Sequence, residues 1–152
     1  MTEARIGWGG KFYLGTANTE ASLVQMQEIS EIGFPTDETD EVEATHLLSP
    51  GRRKEFVAGL IDGGEFNVVM NYVPGSATDL AFTDAKDTGT TRTVRIVIPD
   101  DTGTGTADWN IVASGFVKKY SPDNMTTGEI IKATATIRVT GAIEQGAGAA
   151  GS

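Results

Sequence analysis

Apolar and polar side chains alternate with a period of two along much of this chain, a spacing that separates them onto opposite faces of a strand. The cleanest run predicts a strand over 129–139, with Ile131, Ala133, Ala135, Ile137 and Val139 on one face and Lys132, Thr134, Thr136 and Arg138 on the other. A second covers 65–73, where Phe66, Val68, Met70 and Tyr72 oppose Asn67, Val69 and Asn71 before Pro74-Gly75 stops it. Residues 92–98 and 109–117 read as partners across a Thr-Gly-rich hairpin tip at 99–105. Trp109 and Phe116 have opposite parity in that second strand, so at least one is expected inside. Residues 9–16 form a first strand. Val24 and Met26 then point inward and Gln25 and Gln27 outward, until Ile29 and Ile32 break the parity and predict a β-bulge near Gln27 and Glu28. Only 76–87 reads as helix, with Ser76 or Thr78 as N-cap and Lys86 near the C-terminal end.

The stretch 33–53 fits neither period for long. Phe34-Pro35 opens a polar loop, and Val42, Ala44 and His46 then alternate with Glu43 and Thr45 up to Leu47-Leu48-Ser49-Pro50-Gly51. Such a composition predicts a long loop or projecting hairpin. Arg52 to Val57 reads as the start of a strand, and Gly59 to Gly64 as a glycine-bearing connection. The expected organisation is one domain over 1–145, followed by a Gly/Ala-rich flexible tail at 146–152.

Composition supports that class. Thr, Val and Ile account for 42 of 152 residues and glycine for 19, which favours an all-β antiparallel β-sandwich with one short helix and a long projecting loop. The first ten residues hold one Arg and no apolar run, so neither signal peptide nor membrane span is expected, and synthesis is expected in a cytoplasm.

Charge is distributed unevenly. The net is -9, and between Lys11 and Arg52 lie eight acids, Glu20, Glu28, Glu31, Asp37, Glu38, Asp40, Glu41 and Glu43, with no Lys or Arg. The remainder is nearly balanced, with 13 acids against 12 bases. A net negative chain lacks the basic face that duplex affinity requires. Arg52-Arg53-Lys54 is the only basic run, too short for nucleic acid but suited to pairing with the acidic segment of another copy.

Candidate chemistry is sparse. There is no cysteine and one histidine, which removes thiolate nucleophiles, Cys-based zinc and histidine-cluster metal sites. His46 with Asp40 and Ser49 lacks the strand-turn-helix elbow of a nucleophile. Asp37 to Glu43 lacks the glycine and terminal Glu of a calcium loop, and Asp100-Asp101 with its Thr-Gly repeats is explained by turn geometry. No cofactor and no enzyme activity are expected. Trp8, Tyr13 and Trp109 leave one alternative, a monomeric sugar- or receptor-binding β-sandwich displayed on a particle.

The run from Glu41 to Tyr72, with Thr45-His46, Ser49-Pro50, Arg52-x-x-Glu55-Phe56, Gly59-Leu60-Ile61-Asp62-Gly63-Gly64-Glu65 and Asn71-Tyr72, resembles the central signature of lambda-like phage tail tube proteins. Gly115 to Pro122 and Ile137 to Gly141 resemble that family's closing strands, so the likeness spans about 10–145. It implies hexameric rings that stack into a virion tail tube conducting double-stranded DNA without binding it specifically. The partners implied are the chain itself and tail initiator, tail terminator and tape measure proteins, with no membrane. Six subunits giving four strands each make a barrel of roughly 24 strands, past the roughly 16 to 18 at which barrels become aqueous channels. In these terms Asp37, Glu38, Asp40, Glu41, Glu43, His46, Arg52, Arg53 and Lys54 form a ring-stacking loop. Glu55, Phe56, Gly59, Leu60, Asp62, Gly63 and Gly64 are structural signature residues, and Gln25, Gln27 and Asn110 are candidates to face the lumen.

Overall fold

The computed structural model describes residues 9–48, 50–99 and 108–147. Nine strands and one helix follow in the order β1 (Lys11–Gly15), β2 (Leu23–Gln25), β3 (Ile29–Ile32), β4 (Glu38–Glu43), β5 (Phe56–Asp62), β6 (Glu65–Asn71), α1 (Ala77–Thr88), β7 (Arg92–Ile98), β8 (Trp109–Pro122) and β9 (Lys132–Ala147). Seven form one antiparallel sheet in the order β2-β1-β7-β8-β9-β6-β3, and β4 and β5 pair only with each other.

β2 and β3 lie at opposite edges of the large sheet although three residues separate them, so the sheet curls until its edges approach. The Met26 amide donates to Phe12 on β1 and the Asn71 amide to the Glu28 carbonyl, so the chain passes from one edge to the other across Gln27. Glu28 takes a left-handed φ of 63° to turn there. The parity break is therefore an edge-to-edge crossing, not a bulge within one strand; the irregularity in this region lies between Ile29 and Glu31. No β2–β3 ladder closes the barrel.

The curled sheet encloses Phe12, Leu14, Phe66, Val68, Met70, Val94, Ile96, Ala133, Ala135 and Ile137, all buried. α1 plugs it. Ser76 caps the helix by accepting from the Asp79 amide, and Gly89 ends it at φ 62°. The Phe82 ring stacks on Phe12 at 6.1 Å and on Tyr120 at 5.4 Å. The Tyr120 hydroxyl donates to Asp79 at 2.8 Å, and burial together with that carboxylate pushes the phenol well above its usual range. Arg92, buried at the other end of the helix, donates to Asp84, Thr88 and the Gly15 carbonyl.

Four expectations need correction. β5 includes Gly59 to Asp62, which read as a connection, because pairing with β4 extends the strand and only Gly63-Gly64 turns. Arg52-Arg53-Lys54 precedes β5 instead of starting it. β9 runs to Ala147, well past residue 139 and two residues into the expected tail, because its second half pairs with the first half of β8. Neither Trp109 nor Phe116 is buried: Ile111, Ala113 and Val117 fill the inward positions, leaving Trp109 at the sheet end and Phe116 half-exposed. The hairpin tip at 100–105 lies outside the described residues.

Phe82→Ala is expected to lower the unfolding free energy by about 3–5 kcal/mol. Leu80→Ala, on the exposed side of α1, is expected to change it by less than about 0.5 kcal/mol. Urea denaturation of both variants checks this, and equal losses would show that α1 packs differently.

Candidate self-assembly surface

β3 and β6 pair in the main sheet, and the same two chain segments pair again as β4 and β5 beyond it. The result is one long hairpin whose inner half is part of the core and whose outer half projects as a ribbon. Cross-strand partners share a face. Glu43 opposite Phe56, Glu41 opposite Ala58 and Thr39 opposite Ile61 share one face, while Val42 opposite Val57 and Glu38 opposite Asp62 share the other, so each face mixes acids with apolar side chains. Neither face is covered: Val42, Phe56, Val57, Leu60 and Ile61 are all at least half exposed, Leu60 at 83%. Gly59 lets the strands approach, since a Cβ there would sit 3.1 Å from Val42.

The ribbon tip is tied locally. Thr45 accepts from the Glu55 amide at 2.8 Å, His46 Nδ1 accepts from the Leu48 amide, and His46 Nε2 lies 3.4 Å from the Glu55 carboxylate. Pro50–Arg52 forms a single 3₁₀ turn in which Gly51 and Arg52 take φ values of 65° and 56°. Leu47 and Leu48 project into solvent, and Arg52, Arg53 and Lys54 are exposed beside them.

The ribbon base is clamped to the sheet. The Arg138 guanidinium donates to both carboxylate oxygens of Asp62 at 2.8 Å, and Asp62 Oδ1 also accepts from the Gly64 amide at 2.9 Å. The Gly64 amide, with the Arg138 guanidinium, holds the Asp62 carboxyl below its usual range. Gly63 has no room for a side chain, since a Cβ would lie 2.7 Å from Val139. Gly64 takes φ 68°, and its carbonyl accepts from the Val139 amide. The Asp-Gly-Gly signature is thus a turn that holds the ribbon against β9.

The structure gathers the acids Glu38, Asp40, Glu41 and Glu43 onto β4, with Asp37 leading in, and the bases Arg52, Arg53 and Lys54 at the far end. Gln25, exposed, and Asn110, half-buried, share the outer face of the β2-β1-β7-β8 half, whereas Gln27 sits in the crossing, its amide donating to Thr78. Arg138 and Phe116, next to the ribbon base, were not singled out by sequence. Among the described residues no group of three or more His, Asp and Glu is placed to hold a metal. His46 pairs with Glu55, and Ser49 lies outside the described residues. Tyr13 lies over the Arg95 guanidinium, on the sheet face opposite the one Trp109 follows, so the two do not form one platform. Trp8 lies outside the described residues.

No curated protein is significantly similar in sequence. Among solved structures, the tail of an empty gene transfer agent particle, refined with C6 symmetry, is 14% identical, with a TM-score of 0.70 over 93% of this chain and 98% of that one. The SPP1 tail tube is 14% identical, with a TM-score of 0.63 over 96% and 80%. The sheath-tube complex of an extracellular contractile injection system is 12% identical, with a TM-score of 0.63 over 95% and 92%. The model of the lambda phage tail tube protein matches residues 11–146, and the chain therefore belongs to that family of structural, non-catalytic tail tube proteins.

Proposed function

We propose that this chain forms hexameric rings that stack into a hollow virion tail tube, through which double-stranded DNA leaves the capsid. The carrying observation is the ribbon: β4 and β5 pair only with each other and expose apolar side chains on a two-stranded unit, which in water is marginal without a further layer. Stacked rings supply that layer. The free edges of β2 and β3 are hazards in a monomer that pairing between neighbouring subunits removes. Similar folds occur in a particle refined with six-fold symmetry and in a tube terminator, which supports the ring count and an end-capping terminator; a tail initiator and a tape measure protein complete the proposed set of partners. Gln25 and Asn110 remain candidates for the lumen wall, where a lining without excess positive charge lets DNA slide.

Electron microscopy of the concentrated protein is expected to show six-fold rings or tubes; their absence in every condition, tail initiator included, overturns the proposal. Arg52→Glu with Arg53→Glu is expected to block elongation while unfolding stays as in the parent, and normal tube length would remove the basic run from the stacking contact. Asp62 sets a pH dependence. Because its folded-state value lies below 3.8, the ionised clamp stabilises the fold fully above that value and is lost as pH falls through the lower, folded value. Asp62→Asn is expected to flatten the acid loss of fold stability below pH 3.8, as read by denaturation across pH, and an unchanged profile would exclude the clamp as its cause.

A further inference from the structure

We propose that the groove at the ribbon base receives the ribbon tip of a second copy of this chain, head to tail. The inference rests on the tube-subunit reading and adds the surface that the ribbon engages. The groove encloses about 730 Å³ where the ribbon leaves the sheet. Leu60 and Ile61 line it from β5, Phe116 and Ile143 from the main sheet, and Asp37 and Asp40 from the start of the ribbon. Leu60 and Ile61 are well exposed, so the groove presents apolar walls with carboxylates among them.

The tip carries the complementary set. Leu47 and Leu48 are the most solvent-exposed large apolar side chains among the described residues, with Leu48 at 86%. Beside them Arg52, Arg53 and Lys54 form no ion pair among the described residues. Two leucines entering the groove would cover apolar surface on both partners, and the bases would meet Asp37 and Asp40. Charge matching of this kind fixes register and disfavours other arrangements. Within the groove, Asp62 is already paired with Arg138, so the unmatched charge is negative.

A tip cannot fill its own groove. β4 and β5 are paired along the whole ribbon, and six strand residues at about 3.3 Å each hold the tip about 20 Å from the base. The occupant must come from another copy. Because tip and groove are different surfaces, every copy that fills one groove offers another, and between rings already closed by other contacts such a contact propagates along the ring axis.

The chain has no cysteine, so a Leu48→Cys, Ile143→Cys double variant reports this contact cleanly. After assembly and oxidation, a ladder of covalent multimers is expected on a non-reducing gel, with each single variant remaining monomeric. Tubes visible by electron microscopy without a ladder overturn the groove assignment and leave the tube reading standing. A covalent dimer from Leu48→Cys alone shows tip-to-tip contact and also overturns it. Absence of tubes from the parent chain overturns both. A second arm uses two exposed positions. Leu48→Asp spoils the tip and Leu60→Asp the groove, so neither variant alone is expected to form tubes, and their mixture is expected to form rings joined in pairs. Normal tubes from either variant alone, or a mixture with no paired rings, overturn the proposal.

Discussion

Two strands that pair only with each other leave both faces in water, and this constraint governs the molecule. β6, paired to β9, buries Phe66, Val68 and Met70 in the curled sheet, and Ile29 and Ile32 of β3 pack partly against that core, whereas the continuations β4 and β5 have no third strand or helix against them among the described residues. The same hairpin is thus core at one end and unfinished at the other. A ribbon of this kind calls for a further layer, and its direction must be defined for a layer supplied by other copies to repeat. That direction is set by the bidentate Asp62–Arg138 pair and the Gly63-Gly64 turn, which join the ribbon to β9, the strand with the longest pairing to β8.

The curl of the sheet provides the rigidity this geometry needs. With β2 and β3 tied across Gln27, and with Phe82 stacked between Phe12 and Tyr120, the body has few ways to shear. Close-packed interiors transmit displacement, so a fixed body and a clamped ribbon base together hold the tip in one place relative to the sheet. A subunit whose contact surfaces keep fixed relative positions builds a regular polymer, because the rotation and translation between copies then repeat at every step.

Much of this was legible from sequence. The strands β6 and β7 and the core half of β9 followed from clean alternation, and α1 from Ser76 and Lys86. The projecting segment was recognisable because acids and turn residues left it nothing to bury. What escaped depends on partners far away in the chain. The second half of β9 contains Glu144 and Gly146, poor strand residues that are extended because β8 pairs with them, and Gly141, which takes φ 84° where the register shifts. Gly59 read as a turn because glycine usually marks one, and only the close approach of Val42 explains it in a strand. Arg138 stood out as one polar residue in an alternating strand, and nothing local showed that its guanidinium would meet Asp62. The Gln25 and Asn110 placements were compatible with one sheet face, while Gln27 was displaced by the crossing that parity alone presented as a bulge.

The uneven charge acquires a spatial meaning in the ribbon. Acids run along both faces of β4 and its approach, and the only basic run sits at the opposite end. Two such ribbons side by side in register place acid against acid and base against base. Displaced along their axis by about one ribbon length, they place base against acid. Screening confines these forces to about 8 Å at physiological ionic strength, so they act on neighbours in contact and discriminate between arrangements at close range. Six copies carry about -54 in total, of which the ribbons, residues 37–62 with seven acids and three bases each, hold about -24 and the rest of the chain about -30. The charge pattern of the ribbons opposes lateral stacking in register and favours axial displacement. The charge pattern and the unfinished ribbon therefore select the same direction of growth.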